Sequence, residues 1–162
     1  MFRFSILLLS MFFVAQAAPA LDLKLGRTEI TRASVVAAMN AIRADHQLPP
    51  LRDDDRLDAA ADDRMRDMEN NGYWGHVSPD GRSPFVWLPI HGYLYSNAGE
   101  NLASGFETTE VLLASWMESE GHRENILSIV FRDCGVAIID GSTLGRASGR
   151  SVVVLFARAR AE

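Results

Sequence analysis

Apolar residues recur along this chain first at helical spacing and, near its end, at strand spacing. After the polar Thr31, positions Val35, Met39, Ile42 and His46 follow at steps of four, three and four, which is one face of a helix. That placement makes His46 a core or boundary residue. Leu48-Pro49-Pro50 ends the helix, because proline disfavours helix in the residue before it and has no N–H to donate. Asp53-Asp54-Asp55 opens a second helix, where carboxylates suit the positive helix end. Leu57, Ala61, Met65 and Met68 form its apolar stripe, and Asn70-Asn71-Gly72 is a left-handed stop.

Residues 73–104 lose this regularity. They are rich in glycine, proline and aromatics, and predict an irregular functional face with a short helix over 85–90 and turns at Gly92 and Gly99. A third helix is predicted over 109–119, with Thr108 or Thr109 as its N-cap and Val111, Leu112, Ser115, Trp116 and Ser119 on its inner side. Two strands follow, over 133–140 and 150–158. The run from Val152 to Phe156 is apolar without alternation, so both of its faces should be covered. A glycine-rich hairpin loop joins the two strands. Helices flanking a small, mostly antiparallel sheet make an α+β sandwich.

Composition narrows this picture. A chain of 162 residues, 48% of them hydrophobic, is long enough for one domain with its own core. The net charge is −5 and Lys24 is the only lysine, so no basic cluster marks a nucleic-acid partner. At the N-terminus, Arg3 precedes an almost wholly apolar run over 4–14. Two small-residue patterns follow, Ala15-Gln16-Ala17 and Ala18-Pro19-Ala20. That is the layout of a secretory signal peptide over 1–17, cleaved after Ala17 or Ala20, with a linker over 18–30 and the domain proper over 31–160. The apolar run is shorter than the ~20 residues a membrane-spanning helix needs. The expected product is a secreted, extracellular or periplasmic monomer with no membrane span after cleavage. Cys134 is the only cysteine, so no intrachain disulfide can form. It alternates with Val136 and Ile138 on one strand face, as a small buried hydrophobe would.

The candidate chemistry lies on three segments: His76-Val77-Ser78-Pro79-Asp80-Gly81, Gly99-Glu100-Asn101 and Gly121-His122-Arg123. Imidazoles on glycine-flanked loops suit a shared cleft. Two neutral imidazoles can hold a zinc or copper ion and leave positions open for water. Glu100 could orient an imidazole, accept its proton, or act as base toward a bound water. Asn101 and Asn125 brace loop backbone. The aromatics Tyr73, Trp74, Phe85, Trp87, Tyr93 and Tyr95 either pack a core or form an apolar wall for a lipid or glycan. Zinc-protease, nucleophile-elbow and phosphate-loop motifs are all missing from the sequence.

These segments, in this order, resemble the CAP superfamily of cysteine-rich secretory, antigen 5 and pathogenesis-related 1 proteins. The resemblance runs from Arg32 to Arg158. It rests on Asn40 with Arg43, on His76 through Gly81, on Gly99-Glu100-Asn101-Leu102-Ala103, and on Trp116 with Gly121-His122-Arg123-Glu124-Asn125-Ile126-Leu127. The pairing of His-x-Ser-Pro-Asp-Gly with Gly-His-Arg-x-Asn-Ile-Leu is similar to the short bacterial SCP branch, which generally lacks disulfides. The resemblance implies a three-layer α-β-α sandwich and a cavity lined by two histidines and two glutamates, where several members bind a divalent metal. His76, Glu100 and His122 match three of those positions. Ser119 stands where the family's second glutamate usually sits. Glu118 and Glu120 flank it, but one residue turns a helical side chain by about 100°.

The implied function is a binding module for a lipid or sterol, a glycan or another envelope component, with His76, Glu100, His122 and Ser119 at the site. His76 and His122 would be the ligands for zinc or another divalent ion. One alternative is a metal-assisted hydrolase, a peptidase or cell-wall hydrolase, with Glu100 as base. Another is a partner- or host-interaction protein whose histidine cluster is structural.

Overall fold

A computed structural model describes residues 28–140 and 149–161. The expected export segment and the glycine-rich hairpin loop expected between the last two strands lie outside the described residues. Ten elements follow in order: α1 (Arg32–Asp45), β1 (Arg52–Asp53), α2 (Asp55–Asn71), a 3-10 turn (Pro84–Val86) running into α3 (Trp87–Ile90), β2 (Tyr95–Phe106), α4 (Thr109–Glu118), α5 (Glu120–Leu127), β3 (Asp133–Asp140) and β4 (Arg150–Ala159).

Local chemistry sets the helix ends. Thr31 caps α1 in a reciprocal pair with Ser34, each side chain accepting from the other's backbone N–H. Asp54 caps α2, and Gly72 closes it at φ 64°, a conformation that costs glycine little. Thr108 is the N-cap of α4.

The strands form one sheet in the order β1-β3-β4-β2. β4 is central and antiparallel to both neighbours, while the two-residue β1 runs parallel to β3. Alternation along β4 feeds two separate cores. Val152, Val154 and Phe156 join Cys134 and Val136 under Val35 and Met39 of α1, Leu112 and Trp116 of α4, and Ile126 of α5. Val153, Leu155 and Ala157 join Ala137 under Leu57, Ala61, Met65 and Met68 of α2 and Leu88 of α3. The product is a three-layer α+β sandwich, with the sheet covered on both faces. Each fully buried Val or Leu contributes about 1.5–3 kcal/mol, so the central strand anchors both halves.

Some expectations are corrected and others are met. The segment expected to be irregular contains the longest strand, β2, and Gly99 lies inside it rather than at a turn. Its composition hid it. β2 is an edge strand that carries buried polar side chains, Glu100 and Asn101, where alternation would place apolar ones. β1 is too short to show in any pattern. His46 is exposed at the C-cap of α1 instead of packing into a core. Val111 points outward, and Thr109, Leu112, Leu113 and Trp116 form the inner side of α4. Cys134 is fully buried, and burial pushes its thiol up to about 12. It behaves as a hydrophobe and not as a nucleophile. Tyr93 and Trp116 are core residues. No helix among the described residues is long and apolar enough to cross a membrane.

Candidate functional site

The site is built around edge strand β2. Glu100 pairs with Leu155 of β4 and shares the sheet face of Leu102, toward α2. Asn101 faces the other way, toward α5, as strand alternation requires. Its amide donates to the carbonyl of His122 at 3.1 Å. Asn125 of α5 donates to the Glu100 carbonyl at 3.2 Å and to the Asn101 side chain at 2.8 Å. The two asparagines thus brace the free edge of β2, and α5 lies against it. Gly99 is needed for that approach. A Cβ there would meet Asn125 Oδ1 at 2.7 Å and the Phe131 ring at 2.9 Å.

On the α2 side, both carboxylate oxygens of Glu100 are taken. Oε2 accepts from Arg64 Nε at 2.8 Å, and Oε1 lies 2.8 Å from His76 Nδ1. Glu100 and Arg64 side chains are each 1% exposed, so this is a fully buried ion pair. Arg64 continues outward. Its remaining nitrogens donate to the Tyr73 hydroxyl and to the Gly75 carbonyl, just before His76. Tyr73 in turn donates to Asp67, which also pairs with Arg82 Nη2 at 3.1 Å. Arg82 holds Asp80 at 2.8 Å, and the Ser78 hydroxyl donates to the same carboxylate. The loop carrying His76 is therefore pinned to α2 from both ends.

His76 does lie in this turn, with its side chain 57% exposed. The Glu100 hydrogen bond raises its pKa above the ordinary 6.5, against partial burial and the nearby Arg64 charge. His122 differs from its expected place. The sequence predicts a glycine-flanked loop there. Instead the chain breaks at Ser119 and restarts as α5, with His122 in the first turn. Its ring lies against Trp116, centroids 6.1 Å apart at 47°. Burial, followed by the charge of His76, lowers its pKa below 6.5. His122 stays neutral where His76 still binds a proton.

Ser119 sits at the α4–α5 junction and makes no side-chain capping bond. Glu118 and Glu120 flank it in the chain. Among the described residues, no set of three or more His, Cys, Asp or Glu side chains is placed to hold a metal ion. The donor chemistry near β2 is two imidazoles, one of them with Nδ1 already engaged.

Sequence reasoning missed Arg64, Asp67 and Tyr73 as a unit. One signal was available. Arg64 stands three residues after Ala61 and four before Met68, inside the apolar stripe of α2. A guanidinium on that stripe requires a buried acceptor. Among the aromatics, Tyr93 donates to Asp133 at 2.6 Å in the core, and Tyr73, Trp74, Phe85, Trp87 and Tyr95 pack partly buried against the α2 core.

Comparison with known proteins agrees with this architecture. A sequence model of the family described as "CAP: Cysteine-rich secretory protein family" matches residues 36–156. YkwD of Bacillus subtilis (strain 168) is 39% identical over 110 residues, which is 68% of this chain and 43% of YkwD. The membrane protein YlbC of the same organism is 31% identical over 99 residues, 61% of this chain and 29% of YlbC. The chain thus spans less than half the length of these relatives. Among solved structures, an extracellular SCP-domain protein from Bacillus anthracis superposes with TM-score 0.67 at 28% identity, covering 78% of this chain and 40% of that one. An outer surface protein of Borrelia burgdorferi shares the fold, with TM-score 0.68 at 21% identity over 78% of this chain and 90% of that one. With one cysteine and therefore no disulfide of its own, the chain belongs to the CAP family, as an SCP domain of the short bacterial type.

Proposed function

We propose that this domain is an exported binding module in which His76 and His122 together take up a divalent cation and a lipid, glycan or other envelope component binds beside them. The observation that carries this reading is the full commitment of Glu100. A general base must reach the proton it removes. Glu100 is buried, one oxygen is held by Arg64, and the other faces His76 Nδ1. It is placed to orient an imidazole, as carboxylates behind metal-bound histidines do. Hydrolysis with Glu100 as base is the weaker reading for the same reason.

Two imidazoles are a donor set for a loosely held ion. Among the described residues His76 makes its hydrogen bond through Nδ1 and not Nε2, and burial shifts His122 toward its neutral form. Two protein ligands fall short of the three usual in catalytic zinc sites. A bound ion would supply a Lewis-acidic point that anchors an oxygen of the ligand. His76 and His122 would hold it, and Glu100 and Arg64 would hold His76.

Calorimetric titration of tag-free protein with Zn2+ and Cu2+ tests this. Each of His76→Ala and His122→Ala should weaken uptake at least tenfold, on the order of 1.4 kcal/mol. Protons compete with the ion at both rings. Because the His76 pKa is raised, affinity should start to fall while the pH is still above 6.5, and continue as His122 titrates below it. Equal affinity in wild type and both variants would sink the cation site.

Stability follows a different balance. Protonated His76 stabilises the fold below pH 6.5, and that contribution fades as pH rises through its raised value. Protonating His122 opposes folding as pH falls through 6.5, so the two partly cancel. Export is checked separately by N-terminal sequencing of protein recovered outside the cell. Ala18 or Leu21 should be the first residue, and a chain still starting at Met1 would refute cleavage.

A further inference from the structure

We propose that Arg64 is the positioning residue of this site: through Glu100 it fixes His76 in the tautomer with the proton on Nδ1, so that Nε2 is the atom offered to a ligand. This deepens the reading above and rests on it only for what Nε2 is used for. Nδ1 of His76 lies 2.8 Å from Glu100 Oε1, and a carboxylate oxygen only accepts, so the ring must donate. That holds only while Glu100 remains an acceptor aimed at His76.

Arg64 provides both conditions. Its Nε holds Oε2 at 2.8 Å, which turns the other oxygen toward the loop. Another of its nitrogens holds the Gly75 carbonyl, next to His76 in the chain. A third contact, to the Tyr73 hydroxyl, locks the guanidinium plane. One planar fork therefore sets acceptor, loop and ring together. A lysine head is compact and could not span the strand and the loop at once. Asp67 and Arg82 support the arrangement by tying Tyr73 and the far end of the loop to α2.

The test uses metal-free full-length protein labelled with 15N-histidine, read by long-range 1H–15N correlation at a pH where His76 is neutral. In wild type, the His76 Nδ1 signal should have the shift of a protonated nitrogen and Nε2 that of an unprotonated one. A wild type showing the reverse, or an average of the two forms, overturns the proposal without any variant. In Arg64→Met the single Nδ1–H pattern should be lost. Arg64→Lys keeps the charge with less risk to folding. It should speed amide exchange over residues 75–78 at least tenfold, because Gly75 loses its donor. A folded Met variant with the wild-type pattern, or a Lys variant with unchanged exchange, refutes the role of Arg64. Ion titration is a separate arm. Wild type with the Nδ1–H pattern but no cation affinity leaves the positioning role standing and removes the cation site.

Discussion

Replacing Glu100 by alanine is expected to cost the fold about 3–5 kcal/mol, because it strands Arg64 as an uncompensated charge in the interior. Both side chains are 1% exposed and meet at 2.8 Å, so water cannot take over the lost contact without opening the α2–β2 seam. An exposed pair of the same geometry would be worth about 0–1 kcal/mol. The two magnitudes separate the possibilities. Denaturant unfolding should show a lower midpoint with an unchanged slope. Glu100→Gln should cost less, since its carbonyl can still accept from one of the two donors. Removing both charges together, as Arg64→Met with Glu100→Leu, should recover part of the loss, because no lone charge then remains. A loss below about 1 kcal/mol in Glu100→Ala would mean that the pair behaves like a solvated one.

This places much of the candidate site inside the stability of the domain. Glu100, Arg64 and Asn101 are buried, and only His76 and His122 reach outward from them. The histidines are therefore expected to tolerate change better than the groups that aim them. The same division explains what was legible in the sequence. The helices α1, α2 and α4 and the strands β3 and β4 announce themselves through periodicity, because an apolar stripe or run needs no partner to be recognised. Thr31, Asp54, Gly72 and Thr108 mark their ends by local chemistry alone.

β2 was hidden because two of its buried residues, Glu100 and Asn101, are polar and find their partners far along the chain. Arg64 is 36 positions from Glu100, and Asn125 is 24 from Asn101. No local window contains those pairs. Asn40 and Arg43 were visible only as residues shared with a family pattern, and the fold supplies the reasons. Asn40 exchanges two hydrogen bonds with the backbone of Leu51, at 3.0 and 2.8 Å. Arg43, fully buried, donates to the carbonyls of Pro49, Ile126 and Ser128, and so fastens the end of α5 to α1. The histidine positions were legible as residues. The strand and helix that present Glu100 and His122 were not, because Ser119 breaks α4 without a proline or glycine at the break itself.

Among the described glycines, the most damaging single methyl group should be the one added by Gly135→Ala. Gly135 lies on β3 between Cys134 and Val136, so its missing side chain points to the opposite face, toward α2. A Cβ there would overlap the backbone of Leu57 and Asp58, which cannot swing aside as a flexible side chain would. The contact is held from both directions. Asp54 donates its amide to the Cys134 carbonyl at 3.0 Å, and Val136 donates to Asp58 at 2.6 Å, beyond the end of the short β1. To admit a methyl, α2 must lift from the sheet and break these bonds. Overpacking alone typically costs about 1–3 kcal/mol, and the lost hydrogen bonds add about 1 kcal/mol each. A loss of more than about 3 kcal/mol follows, which lowers Tm by roughly 10 °C for a domain of this size. Gly121→Ala is the control, since its Cβ would meet nothing within 4 Å, and helix propensity predicts no more than about 1 kcal/mol of gain. The consequence reaches the site as well. Arg64 lies seven residues along α2 from Leu57, about 10 Å at 1.5 Å per residue. Tilting that helix would pull the guanidinium from Glu100 and release the His76 loop. Any folded Gly135→Ala protein should therefore show faster amide exchange over residues 75–78, and a variant as stable as wild type would show that α2 is not seated on β3 by this contact.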